Sequence, residues 1–187
     1  MKEKNAMNIA KFFRSALAIS ALFVGLVHSA KAELVTYTGD TTGGPTFNRP
    51  FTDFSNLSTT GTNVAYNAIT ISIDTSGEYS FVATGLGFDT MLFLYKDAFD
   101  PTAPKLNGVA GSDDLVSHNT SGFASELEAG SLYTVVFTSY YNDFAGQYAL
   151  TIAGPGVITA VPEPQTWLML GLGLAALAYA QRRRAAR

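Results

Sequence analysis

The chain has 187 residues, no cysteine and a formal net charge of −3. Without cysteine there is no disulfide, no thiol nucleophile and no thiolate metal site, so packing alone must hold the fold. The small total hides an asymmetry: from Glu33 to Glu163, 14 acidic residues face only Arg49, Lys96 and Lys105, a net of −11 that cannot neutralise a phosphate backbone and excludes nucleic acid as a partner.

At the N-terminus, Lys2, Lys4, Lys11 and Arg14 precede an apolar stretch from Ser15 to Val27, and Ser29-Ala30-Lys31-Ala32 follows it. A positive segment, a short apolar core and the small pair Ala30 and Ala32 make residues 1–32 a secretory signal peptide. Signal peptidase is expected to cut after Ala32, so that the mature chain begins at Glu33.

Helical periodicity is nearly absent between Glu33 and Gly154. Runs rich in β-branched and aromatic residues predict strands at Leu34–Tyr37, Ala68–Ile73, Glu78–Ala83, Met91–Tyr95, Ser131–Thr138 and Gln147–Ile152. Ile69, Ile71 and Ile73 alternate with Thr70 and Ser72, so one face packs on a core and the other sees water. Residues 33–160 therefore read as one all-β domain, an antiparallel β-sandwich. Asp74-Thr75-Ser76-Gly77 predicts a hairpin between two of the strands. The segment Glu33–Thr62, rich in Thr and Gly, predicts a mostly loop-like stretch. Leu132, Val135, Phe137, Leu92 and Leu94 are expected to meet in or beside the core. Val135 and Phe137 should point together, opposite to Val136, with Thr134 on a tolerant face.

Gly77-Glu78-Tyr79-Ser80-Phe81, Phe88 to Tyr95, Ser112-Asp113-Asp114, Leu127 to Val136 and Gly146 to Ile152 follow in that order. The block resembles the bacterial pre-peptidase C-terminal domain, a jelly-roll β-sandwich appended to many secreted enzymes. The resemblance implies a jelly-roll-like sandwich and brings the loops carrying Asp89, Asn107, Asp113 and Asp114 to one end. It departs from the family in having no catalytic domain before it. Asp89, Asp113 and Asp114 could supply oxygen ligands to calcium, which takes six to eight; the bland alternative is that Asp89 and Asp113 cap turns. No other cofactor is expected.

Two further features bear on function. Tyr140, Tyr141 and Phe144 share one short loop and either cap the open end of the core or offer a stacking surface to a sugar ring. Serine catalysis would need His118, the one histidine after the signal peptide, and no Gly-x-Ser-x-Gly is present. Most of the acids stand beside Gly, Thr, Ser or Asn, where turn capping explains them, so no enzyme activity is expected.

The chain closes with Val161-Pro162-Glu163-Pro164, an apolar run from Trp167 to Ala180, and Arg182-Arg183-Arg184. The prolines keep the backbone extended for a protease. The run predicts a transmembrane helix, though its 14 residues are short against the ~20 that span a bilayer, and the arginines set its cytoplasmic end. Residues 161–187 resemble the PEP-CTERM sorting signal of Gram-negative bacteria, through Pro162, Glu163, Pro164, the helix and Arg182, Arg183 and Arg184. That resemblance implies a membrane-anchored precursor, an exosortase as processing partner, and delivery to the outer surface or the extracellular polymer matrix. The expected function is a non-catalytic sandwich in envelope or exopolysaccharide (biofilm) structure, with polysaccharide as a partner. A carbohydrate-binding module, or a glycan-cleaving enzyme, is the alternative.

Overall fold

The computed structural model describes residues 32–162, 171–174 and 181–182. Ten strands follow in chain order: β1 (Glu33–Asp40), β2 (Thr46–Phe47), β3 (Val64–Ile73), β4 (Gly77–Gly85), β5 (Thr90–Lys96), β6 (Gly108–Ser112), β7 (Thr120–Leu127), β8 (Leu132–Ser139), β9 (Gln147–Gly154) and β10 (Ile158–Ala160). One sheet has the order β1-β9-β4-β7; the other runs β10-β3-β8-β5-β6, with β2 added beside β3. The pairings β1–β9, β3–β8, β4–β7 and β5–β6, all antiparallel, are those of a jelly roll.

The six predicted strands are all present. The Asp74–Gly77 turn also exists, but it does not close a hairpin. β3 pairs with β8 while β4 pairs with β7 and β9, so the turn carries the chain from one sheet to the other. Gly77 holds φ at 152°, and a Cβ there would sit 2.9 Å from the Pro155 ring. Side-chain bonding finishes the turn: Val157 N donates to Asp74 Oδ1 at 2.8 Å. The Glu33–Thr62 segment is less loop-like than expected. β1 runs eight residues, each paired with β9, before the irregular excursion begins.

Two hydrophobic layers form. Between the sheets lie Ile71, Tyr79, Phe81, Leu92, Leu94, Val135, Phe137, Tyr148, Leu150 and Ile152. On the far side of the six-stranded sheet, Phe47, Val64, Met91, Phe93, Tyr95 and Val136 make a second cluster, joined by Phe54, Tyr66, Phe99 and Tyr140. Val135 and Phe137 thus oppose Val136, as alternation requires. Two expectations fail here. Thr134 is 3% exposed, because its face lies against the second cluster, and Leu132, at the strand's start, is 41% exposed and outside both layers.

Candidate functional site

Three sites predicted from the sequence can be placed on this frame. At the C-terminal end, β10 pairs with β3, and Val161 N donates to Thr70 O at 2.8 Å. Ile158 is 5% exposed in the inter-sheet core. Backbone pairing therefore runs up to the residue before Pro162. Glu163, Pro164, Arg183 and Arg184 lie outside the described residues, as does the signal peptide with Ala30, up to Lys31. Of the predicted membrane run, Gly171–Leu174 is described and is helical, and Arg182 is in helical conformation as well. Among the described residues no helix is long and apolar enough to cross a membrane.

The second site is the acidic loop end. Asp89 immediately precedes β5, Asp113 and Asp114 follow β6, and His118 sits in the loop that leads into β7. Thr90 N donates to His118 O at 2.8 Å, which ties that loop to the start of β5. The Thr90 hydroxyl meets Ser121 Oγ at 2.7 Å behind it. The clamp brings Asp114 Oδ2 to 2.9 Å from His118 Nδ1. One ligand atom each from Asp89, Asp114 and His118 lies within 4.8 Å of the others. His118 is not expected in this set from sequence; its one sign there is a lone histidine four residues after Asp114. Asn107 does not join, because it lies at the opposite end of β5, where Lys96 N donates to its carbonyl.

The acids of this cluster behave differently from those in turns. Asp40 accepts from Thr42 N at 2.8 Å, Asp53 from Ser55 N at 3.0 Å and Asp100 from Thr102 N at 2.8 Å. Side-chain bonds from Thr42, Ser55 and Thr102, with those backbone bonds second, hold all three below the usual carboxylate range. Asp89 Oδ1 and Asp113 Oδ1 are buried and have no hydrogen-bond partner. Both groups are pushed upward, first by burial and then by neighbouring carboxylates, Asp114 foremost. Turn capping by the side-chain Oδ1 therefore does not account for Asp89 and Asp113.

Arg49 is the cation that faces them. It is 2% exposed and is anchored by Nε and Nη2, which donate to Tyr140 O at 3.0 and 2.9 Å. Nη1 donates to Pro50 O at 3.3 Å. Its guanidinium lies 4.4 Å from the Tyr140 ring centre. Its charge draws both Asp89 and Asp113 back down, though less than burial raises them. The sequence marks Arg49 only as the sole arginine of an acidic stretch.

The third site is the aromatic loop, which adjoins the second: Tyr140 N donates to Asp89 O at 3.0 Å. The loop's aromatic residues differ in burial. Tyr140 packs down under Arg49 and against the second cluster. Tyr141 and Phe144 are 47% and 50% exposed. Asn142 fixes the loop by accepting from Asn63 N at 2.8 Å and donating to Thr62 Oγ1 at 2.9 Å.

A family model for the PEP-CTERM protein-sorting motif matches residues 160–184, so the chain carries that motif, which marks an exported protein, membrane-anchored before processing by an exosortase. No curated protein matches the chain. Among solved structures, the pre-peptidase C-terminal domain of collagenase from Bacillus anthracis is similar over 63% of this chain and 87% of that one, with 13% identity and a TM-score of 0.40. A family 35 carbohydrate-binding module from Cellvibrio japonicus is similar over 71% of this chain and 99% of that one, with 13% identity and a TM-score of 0.40.

Proposed function

We propose that the sandwich, residues 33–160, is a non-catalytic component of the cell envelope or the extracellular polysaccharide matrix, delivered there by exosortase processing of its tail. The observation that carries this reading is the junction at Val161. The fold closes with β10 on β3, and Pro162, the first residue of the Pro-Glu-Pro triplet, comes directly after Val161. Cutting at the motif would leave the jelly roll whole. A non-catalytic role is supported by His118, whose side chain is 83% exposed and directed at Asp114; a serine-type base is ordinarily oriented by a buried acid. Replacing Pro162-Glu163-Pro164 by three alanines should leave an uncut, membrane-retained precursor. Cutting and release at the wild-type rate would overturn the reading.

A second reading is favoured by Asp89, Asp114 and His118, which bring their ligand atoms together where the Oδ1 atom of Asp89 is buried and unpartnered, while Asp113 stands outside the group. This set would hold a divalent cation weakly. Calcium prefers oxygen donors throughout, whereas an imidazole among carboxylates suits an ion such as zinc or manganese better. Bound cation at about 100 times its dissociation constant should stabilise the fold by about 2.7 kcal/mol. Melting temperatures that agree in EDTA, calcium, manganese and zinc would remove the site.

A further inference from the structure

The outer edge of β3 is covered unevenly. β2 pairs with Val64 and Ala65, and β10 pairs with Ile71 to Ile73. Among the described residues, no strand pairs with Asn67–Thr70 on that side. Tyr66 N donates outward to Pro45 O, and Thr70 O accepts from Val161 N, so by alternation the backbone of Ala68 also faces outward. A groove of about 830 Å³ opens at this gap.

Its walls are of two kinds. Tyr66 and Phe99 are half-buried rings 5.2 Å apart, and both stand edge-on against buried Phe47. Asn67 and Thr70 supply the polar side. Thr134 donates its hydroxyl proton to Asp97 O at 2.6 Å, so in its 3.1 Å contact with Thr70 it must accept. Thr70 is then the donor there, and its lone pairs are presented to an incoming hydroxyl. Asn67 is held in place by donating to Asp40 O at 3.1 Å and by a second side-chain bond to the Tyr148 hydroxyl.

We propose that this groove binds a neutral glycan chain, stacked on Phe99 and Tyr66 and read by Asn67 and Thr70. No lining side chain is charged, and the domain around it is strongly acidic, so an anionic polymer would be repelled. Rigid ring faces beside hydroxyl and amide groups suit a ligand that is apolar on its ring faces and hydroxylated at its edges. An added peptide strand is disfavoured by length. The gap spans four residues, roughly 13 Å at strand rise, and both ends are closed by the chain's own strands. The inference deepens the matrix reading and rests on it for the supply of polysaccharide.

The test is calorimetric titration of the purified full-length chain with maltohexaose, cellohexaose and a β-1,3-glucan hexasaccharide. Hexagalacturonate and a Thr/Val octapeptide serve as the anionic and strand probes. At least one neutral hexasaccharide should bind, and hexagalacturonate should not. The variant Thr70→Val should weaken binding by at least about tenfold with the melting temperature little changed. Phe99→Leu, which keeps most of the apolar volume but removes the ring, should weaken binding as well, with the domain still folded by circular dichroism. Failure of every neutral hexasaccharide to bind would overturn the proposal, as would unchanged affinity in both variants or competition by the octapeptide. Binding that survives both but disappears in Tyr141→Ala would move the contact to the aromatic loop and leave the matrix reading standing. That reading fails separately, through processing of the alanine-substituted tail.

Discussion

The two sheets of this sandwich share one core and differ in what lies on their backs. The outer face of the four-stranded sheet is open: Leu34 and Val82 are 68% and 39% exposed, and Thr36 pairs with Thr151 across two strands at 3.0 Å. The outer face of the six-stranded sheet is closed by the Thr46–Thr62 excursion and the loop after β5, which bring Phe47, Phe54 and Phe99 down onto it. Burial follows. β4 reads alternately buried and exposed from Tyr79 on, whereas β5 is buried from Thr90 to Tyr95. A jelly roll of this size thus obtains a second apolar layer from segments whose composition is that of loops.

The largest expected effect tests whether that layer is a true core. Phe93, fully buried on the covered face and 5.8 Å from the Phe54 ring, should cost about 3–5 kcal/mol on truncation to alanine. Val82→Ala, at an outward position of the open sheet, should cost less than about 1 kcal/mol. Chemical denaturation of both variants decides it. Equal costs would mean that the excursion is a loose flap.

How much of this was legible follows from the same contrast. Alternation in β3, β4 and β9 is written in residue type, because one face of each meets water or polar neighbours. β6 and β7 escaped because their sequences, Gly-Val-Ala-Gly-Ser and Thr-Ser-Gly-Phe-Ala-Ser-Glu-Leu, carry small residues where neighbours press close. A Cβ on Gly108 would run into the Phe54 ring, and one on Gly122 would lie 2.7 Å from Phe81 O. Those glycines answer to partners far away in the chain, which no local pattern reveals. The sorting tail was readable because its motif is contiguous. The acidic site was readable in part: Asp89, Asp113 and Asp114 stood out, while His118 and Arg49 gained meaning only when three separate loops met.

A middle-sized effect concerns the pin that holds the cover. Arg49 donates twice to Tyr140 O and once to Pro50 O, tying the excursion to the end of β8. Arg49→Met keeps the apolar stem and removes the guanidinium, leaving a Tyr140 carbonyl short of two donors; the expected cost is about 1–3 kcal/mol. Arg49→Lys should recover little of it, because a single ammonium cannot reproduce the fork. The comparison sharpens if hydrogen exchange in Arg49→Met accelerates at Phe47 to Thr60 while β1 and β9 stay protected, and breaks if both speed up alike.

The smallest effect sets one aspartate from each sheet against the other across pH. Asp40 ends β1 on the open sheet, and its bonds from Thr42 hold it below its ordinary value of 3.8. Its contribution is present above that value and is lost as pH falls through the lower folded pKa. Asp89 begins at the rim of the covered sheet, and burial, then the Asp114 charge, raise it above 3.8. The sign is opposite: its contribution is full below 3.8 and is lost as pH rises through the raised folded pKa, so at neutral pH the ionised group is a standing cost. Asp40→Ala should therefore lower the melting temperature at pH 7, with a gap that narrows below pH 3.8. Asp89→Asn should raise it at pH 7 by about 1–2 °C once solvent screening of a partly exposed group is allowed for, and the gain should vanish in acid. A divalent cation bound at Asp89, Asp114 and His118 would relieve the same cost in the wild type, so the advantage of Asp89→Asn should be largest in EDTA and shrink or reverse as metal is added. Gains of equal size in EDTA and in saturating metal would show that Asp89 carries buried charge for some reason other than a cation.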